Sequence, residues 1–394
     1  MLRFSTAGES HGEALVAVLS GVPAGLPIDF TFIERELWRR QQGYGRGGRM
    51  RIEKDSARFL SGVRHGETIG SPISLLVANH DWENWKDALP VEAGDPEKHK
   101  RVASPRPGHA DLAGAIKYNL PEARYVLERA SARETAARVA LGSIAKLLLR
   151  ELGIEIYSHV IAVGAAGYEP QAVTREQLRA TVAEPDILLN VLDREHEQAM
   201  KAEVDRALRT GDSVGGIFEV RAFGIPPGLG TFANWDERLD AQLAAAVMSL
   251  QAVKAVEIGT GIRNATSMGS AVQDAITYSD MSDHEHATRF RREQNRAGGL
   301  EGGVTNGEDL IVRGYLKPIS TLRRPLGSVD FASREPVKAA YERSDVCAVP
   351  AAGVAAEAMI ALTVARAALE KFGGDSLTEL KRNHEGYLRQ IREY

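Results

Sequence analysis

The sequence predicts an α+β fold with largely antiparallel sheets, and three observations carry that prediction. Short β-rich segments and amphipathic helices alternate irregularly, without the steady βαβα rhythm of a doubly wound sheet. No Pro/Ser-rich linker divides the 394 residues. The turn Gly21-Val22-Pro23-Ala24-Gly25-Leu26 recurs as Gly224-Ile225-Pro226-Pro227-Gly228-Leu229, each copy leading into a helix. That echo predicts a single domain over 1–394, built from two related halves near 1–205 and 206–394.

The elements follow in order. A short strand is predicted over 2–5. A helix over 31–42 is signalled by a capping box, Thr31 with Glu34, and a stop at Gly43. A second capping box, Ser131 with Glu134, opens an Ala-rich amphipathic run reaching Leu152 and stopping at Gly153. β-branched residues in alternation predict a strand over 154–163. Further helices are predicted over 174–182, 193–210, 235–255 and 351–372. The stretches "GGIFEVRAFGIP" and "GEDLIVRGYLKPI" read as strands, and the polar, charged run over 279–296 as a mobile loop or lid.

Composition excludes several classes. With 49 basic and 53 acidic residues the net charge is −4, so no global charge favours nucleic acid or an acidic membrane. The single cysteine, Cys347, rules out an intramolecular disulfide and predicts a reducing, cytoplasmic setting. Glu9, His11 and Glu13 interrupt any apolar leader at the start. The apolar stretch over 351–369 carries Glu357 and Arg366, which reads as a core helix rather than a membrane span.

Gly8-Glu9-Ser10-His11-Gly12 fits the nucleophile elbow of serine hydrolases, but only nine residues precede Ser10. An elbow tops an established sheet, so the nucleophile reading loses its context, and the turn is left to present another group, such as His11. Gly43 to Gly48 is a formal G-x-G-x-x-G, yet it follows a helix instead of opening one, and the dinucleotide reading fails. What remains is Arg39, Arg40, Arg46, Arg49 and Arg51 on a glycine-rich backbone, suited to phosphate and carboxylate anions. No series of base-stacking aromatics extends this patch toward an RNA-binding face. His109 follows Pro107 near a predicted helix start, where an imidazole can be poised for acid–base work. Arg129 and Ser131 at the start of the long helix form a candidate phosphate seat. "NRAGGLEGGVTNGE" and "LKPIST" offer close backbone approach and donors to an anion, and "YERSDVCAVPAAG" sets Arg343, Asp345 and Cys347 before the last long apolar run. His284 and His286, with Asp280 and Asp283, have no closed metal-ligand spacing, and no metal is expected.

Taken in order, AGESHG, GYGRGGR, RPGHAD, RASARETAARVA, GG-x-x-GG, KPIST and RSDVCAVPA resemble chorismate synthase from Met1 to about residue 369. The resemblance implies a β-α-β sandwich, helices between antiparallel sheets, assembled as a homotetramer. It implies conversion of 5-enolpyruvylshikimate-3-phosphate to chorismate and phosphate by a 1,4-anti elimination that needs reduced FMN without net redox. Under it, Arg129, Ala130, Ser131, Gln251, Ala252, Gly302, Lys317, Pro318, Ile319, Ser320, Thr321 and Arg343 contact FMN. His11 protonates the leaving phosphate and His109 the reduced flavin, while Asp345, with Ser10, relays a proton. Arg40, Arg46 and Arg49 hold the substrate's phosphate and carboxylates or a nicotinamide nucleotide, with NADPH the candidate reductant. The rival readings are a serine hydrolase on Ser10, a flavin protein of true electron transfer, and an anion- or RNA-binding module on 39–51.

Overall fold

The structure, a computed structural model, describes residues 1–48, 54–170, 173–184, 186, 188–279, 288–342 and 344–394. The chain begins with β1 (Arg3–Ala7) and β2 (Ala14–Ser20), an antiparallel pair joined by the GESHG turn. Helix α1 (Phe30–Gln41), β3 (Ala57–Phe59) and β4 (Ile73–Ala78) follow, completing a four-stranded sheet in the order β1-β2-β4-β3. Next come three helices, α2 (Asp111–Tyr118), α3 (Arg124–Ala130) and α4 (Thr135–Arg150). Then β5 (Glu155–Val163) and the short β6 (Ala166–Gly167) lead to α5 (Arg175–Ala183) and α6 (Arg194–Thr210). The strand β7 (Gly216–Phe223), helix α7 (Leu239–Met248), and strands β8 (Val253–Ile258) and β9 (Leu310–Leu316) complete a five-stranded sheet, β8-β9-β7-β5-β6. Two helices end the chain, α8 (Val349–Phe372) and α9 (Leu377–Glu393).

Every named strand pair in the two sheets is antiparallel. Period-2 alternation turns Leu15, Ala17 and Leu19 of β2 and Ile73, Leu75 and Val77 of β4 inward, all buried. Helix α4 covers that face, α8 lies against β5, β7 and β9, and α4 and α8 pack on each other, with α1 and α7 beside α8. Helices thus fill the space between two antiparallel sheets. The α4–α8 approach depends on Gly142, where an added Cβ would lie 2.3 Å from the Ala358 Cβ. α8 is long and apolar enough to cross a membrane, but 83% of its apolar window is buried inside the fold, the behaviour of a core helix.

Burying α8 also buries Glu357, and the core answers with opposite charge. Arg39 reaches Glu36 at 2.8 Å and Glu357 at 2.7 Å, Lys146 reaches Glu36 at 2.5 Å and also binds Glu357, and the Ser158 amide donates to Glu357 at 2.8 Å. Burial opposes the charge on Glu36, but Arg39 and Lys146 outweigh it and hold the carboxyl down to about 2.

Several expectations change. α1 is capped by Asp29, whose carboxylate accepts from the Phe32 amide, and not by Thr31. Ser131 caps a short 3₁₀ turn (Ala132–Glu134) that leads into α4. Glu134 does not reach back to it; its carboxylate binds Thr6 and Arg138 instead. The helix expected over 235–255 is only α7, which ends at Met248; the chain then turns through Ala252, at φ +67°, into β8. β5 is buried on both faces, since α5 packs over its outer side. Within the run expected to be a loop over 279–296, Phe290–Arg292 pair with Ile276–Tyr278 as strands, and 280–287, with His284 and His286, lie outside the described residues.

The two Pro-Gly turns repeat one hydrogen-bond pattern. Thr68 Oγ1 accepts from the Leu26 amide at 2.9 Å and donates to the Pro23 carbonyl at 2.6 Å. Thr305 Oγ1 accepts from the Leu229 amide at 2.8 Å and donates to the Pro226 carbonyl at 2.7 Å.

Candidate active site

The GESHG turn is shaped by the ends of other elements. Asn79, just past β4, donates from Nδ2 to the Glu9 carbonyl at 3.2 Å and the Gly12 carbonyl at 2.5 Å. The Ser10 amide donates to the Glu128 carbonyl at 2.9 Å, and the His11 amide to the Glu128 carboxylate at 2.7 Å. This turn joins two antiparallel strands, so the strand-turn-helix context of a hydrolase elbow is absent. Ser10 is buried, its Oγ 3.1 Å from the Ser131 hydroxyl.

His11 Nδ1 lies 2.9 Å from Glu128 Oε1, and its ring stacks on Trp85 with centroids 3.9 Å apart. Burial would raise the Glu128 pKa, but the His11 hydrogen bonds, helped by Arg124, lower it. His109 sits just before α2, with Nδ1 2.5 Å from Asp111 Oδ1 and 2.9 Å from Arg106 Nη2. Arg106 grips Asp111 with two donors, Nε at 2.8 Å and Nη2 at 3.0 Å, and sends Nη1 to Thr321 Oγ1 at 3.0 Å. Burial works against the Asp111 charge, yet bonds from His109 and Arg106 hold its carboxyl far below the usual range.

A hydrogen-bonded path links most of the expected residues. Arg129, half exposed, donates to the Thr6 and Gly8 carbonyls and lies 3.8 Å from Glu134. Gln251 Nε2 reaches the same Glu134 at 3.5 Å. Ala252 accepts from the Lys317 amide at 3.0 Å, and Lys317 Nζ donates to the Gly108 carbonyl beside His109. Ile319 accepts from Ser213, and Thr321 accepts from Arg106 through its hydroxyl and from Ser344 through its carbonyl. Asp345 follows Ser344, bound to Arg46 at 2.9 Å and to the Gly47 amide at 2.6 Å. Gly47 is required there, because a Cβ would meet the Ser344 carbonyl oxygen at 2.9 Å. Ala130 closes α3 between Arg129 and Ser131, while Pro318 and Ser320 fill the segment between Lys317 and Thr321.

Other expected residues fall elsewhere. Gly302 turns between the strands Leu300–Glu301 and Val304–Thr305, and among the described residues no hydrogen bond joins it to this path. The arginine patch divides: Arg39 belongs to the core charge cluster, and Arg40 is buried against Asp55, which also binds Arg133 at 2.5 Å. Arg46 reaches Asp345, while Arg49, Arg51 and Arg343 lie outside the described residues. Glu128, Trp85, Arg106 and Asp111 were not singled out in sequence. Arg106 and Asp111 stand in the same RPGHAD string as His109 and were legible there. Glu128 and Trp85 carry no local signal.

The flavin expected here can be tested against the residues present. Gln251 Oε1 is buried and has no hydrogen-bond partner among the described residues, a polar acceptor that a ligand N–H would satisfy. Neighbouring Ala252 holds a left-handed φ that costs roughly 1–3 kcal/mol for a non-glycine residue, the kind of strain that clusters at ligand sites. Arg129 and Lys317 add cations beside them, so the donor set fits an anionic flavin nucleotide.

A family model described as chorismate synthase matches residues 2–369. The chain is 68% identical over 395 residues to a chorismate synthase of Koribacter versatilis, and 67% identical over 394 residues to one of Acidobacterium capsulatum, each alignment covering all of both chains. A solved structure titled as a crystal structure of chorismate synthase superposes with TM-score 0.78 at 38% identity, covering 100% of this chain and 99% of that one.

Proposed function

The chain belongs to the chorismate synthase family of lyases, and from that membership we propose that it eliminates phosphate from 5-enolpyruvylshikimate-3-phosphate in a 1,4-anti sense to give chorismate. The observation that carries this reading is the pair of histidines, each bound to a buried carboxylate: His11 to Glu128, and His109 to Asp111. Expelling phosphate is easier when an acid protonates it, and histidine titrates in the range that suits such an acid. His11 serves as that acid, and His109 would hold a proton for the flavin when it is bound. Asp345, held by Arg46 and Gly47, relays a proton with Ser10.

Reduced FMN, when bound, supplies the transient electron density that removal of a weakly acidic C–H needs. Arg129, Ala130, Ser131, Gln251, Ala252, Gly302, Arg343 and the run Lys317 to Thr321 would hold it. Arg46 and Arg49 serve the substrate's anionic groups or a nicotinamide nucleotide, with NADPH the candidate reductant, while Arg40, expected with them, is committed to Asp55. The shared bond pattern at the two Pro-Gly turns supports an internal pseudo-twofold relation between halves near 1–205 and 206–394. The family resemblance supports a cytoplasmic homotetramer with a small-molecule substrate and neither nucleic-acid nor membrane partner.

The test is anaerobic: protein, 5-enolpyruvylshikimate-3-phosphate and chemically reduced FMN, following chorismate and phosphate. Equal release of both products with FMN still reduced is expected. Stoichiometric loss of reduced FMN would replace this reading with a redox reaction.

A further inference from the structure

We propose that Glu128 is a positioning residue that locks the His11 imidazole as its Nδ1–H form, so that the proton His11 exchanges is carried by Nε2. This rests on the assignment of His11 as the acid. Three contacts carry it. Glu128 meets His11 twice, at the backbone amide with Oε2 (2.7 Å) and at Nδ1 with Oε1 (2.9 Å), so turn and ring are set by one side chain. The second is Arg124, which reaches Oε1 at 3.3 Å and is itself tied to Glu342 at 2.8 Å and to the Lys100 carbonyl at 2.6 Å. A carboxylate beside that guanidinium stays ionised and offers only acceptors, so the hydrogen it shares with the ring sits on Nδ1. The third is Trp85, whose indole stacks on the imidazole at 3.9 Å with the rings 27° apart. Trp85 is anchored by its Nε1–H to Asp81 at 3.1 Å, and Lys100 Nζ lies 3.9 Å from the indole centroid. Carboxylate and indole together limit both the in-plane rotation and the tilt of the ring.

An ordinary structural ion pair between Glu128 and Arg124 would leave the His11 tautomer untouched, and this separates the two roles. The measurement is ¹⁵N NMR of the full-length, ligand-free chain labelled at histidine, reading the neutral form of His11. The wild type is expected to show Nδ1 protonated and Nε2 bare. Glu128→Gln is expected to move the population toward Nε2–H, the form imidazole favours in water, while the melting curve reports folding. In the anaerobic assay Glu128→Gln should lower kcat on the order of 10²-fold, as loss of a correctly held general acid does, with KM within about twofold. Placed on His11→Ala it should cost nothing more, because the two act as a unit.

If the glutamine variant fails to fold, Glu128→Asp retains the charge but withdraws it by a methylene, and the same tautomer shift is expected. A wild-type His11 found as Nε2–H, an unchanged tautomer in the folded variant, or fully additive losses in the double variant would overturn the proposal. The NMR arm decides the role of Glu128 even if no chorismate forms, so failure of the proposed reaction and failure of this inference remain distinguishable.

Discussion

The two histidines are held by carboxylates of different standing. At His11, Nδ1 faces Glu128, and the arginine that neutralises Glu128 keeps a second carboxylate, Glu342. At His109, Nδ1 faces both an acceptor, Asp111 at 2.5 Å, and a donor, Arg106 at 2.9 Å, and Asp111 is the carboxylate Arg106 grips with two donors. One imidazole nitrogen cannot donate and accept at once, so at His109 Nδ1 a donor and an acceptor compete, whereas at His11 Nδ1 Glu128 offers an acceptor. Two His–carboxylate contacts therefore differ in what stands behind the carboxylate: an arginine shared with Glu342 at one, an arginine that also reaches the imidazole at the other.

The largest effect expected from breaking this comparison is on stability. Asp111→Ala leaves Arg106 buried without its carboxylate and should cost about 3–5 kcal/mol, the usual penalty for orphaning a buried charge. Glu128→Ala leaves Arg124 paired with Glu342 and should cost about 1–3 kcal/mol, the range for an unmade buried hydrogen bond. Urea unfolding of both variants measures the difference, and equal losses would remove the distinction between the two sites.

Next in size is catalysis. His11→Ala and His109→Ala should each slow turnover by roughly 10²-fold or more, the range of acid–base groups. The anaerobic chorismate assay measures it, and near-normal rates in both would sink the histidine assignment.

Acid sharpens the comparison further. The Asp111 and Glu128 pKa values are both lowered by folding, with the large shift at Asp111. Their stabilisation is therefore complete above the unfolded-state values near pH 4 and is lost as pH falls through the folded-state values. Stability from pH 7 down to 3 should decline below about pH 4, and Asp111→Asn should flatten that decline more than Glu128→Gln. The smallest effect belongs to Ser10→Ala. Its hydroxyl supports the turn through Ser131, and the loss should stay under about tenfold, far from the loss of a nucleophile.

Much of the architecture was legible because it rests on local periodicity. β5, β7, β9, α5, α6 and α8 lie within a few residues of their expected positions, and Thr174 with Gln177 forms a complete capping box. Elsewhere local signals competed. The run over 235–255 divided after Met248, where the chain leaves the helix to pair β8 with β9, while at α1 the choice was local, Asp29 capping ahead of Thr31. The strands β2 and β4 were not singled out, although Leu15, Ala17 and Leu19 alternate, since seven and six residues of apolar sequence read equally well as loop-flanking core.

The site shows the same division. The sequence by itself determined the candidate side chains and their local frames: His11 in a glycine-bounded turn, His109 beside Arg106 and Asp111, and the Lys317 to Thr321 run. Those follow from residue type and spacing, which chemistry constrains at short range. Only the tertiary structure decided which partner each group has. It brought Glu128 and Trp85 to His11, placed Asp345 on Gly47 and Arg46, and drew Arg39 from the arginine patch into the core with Glu357. Those pairings join residues dozens to hundreds of positions apart, and burial, which makes a charge's partner matter most, arises only when the sheets close over the helices.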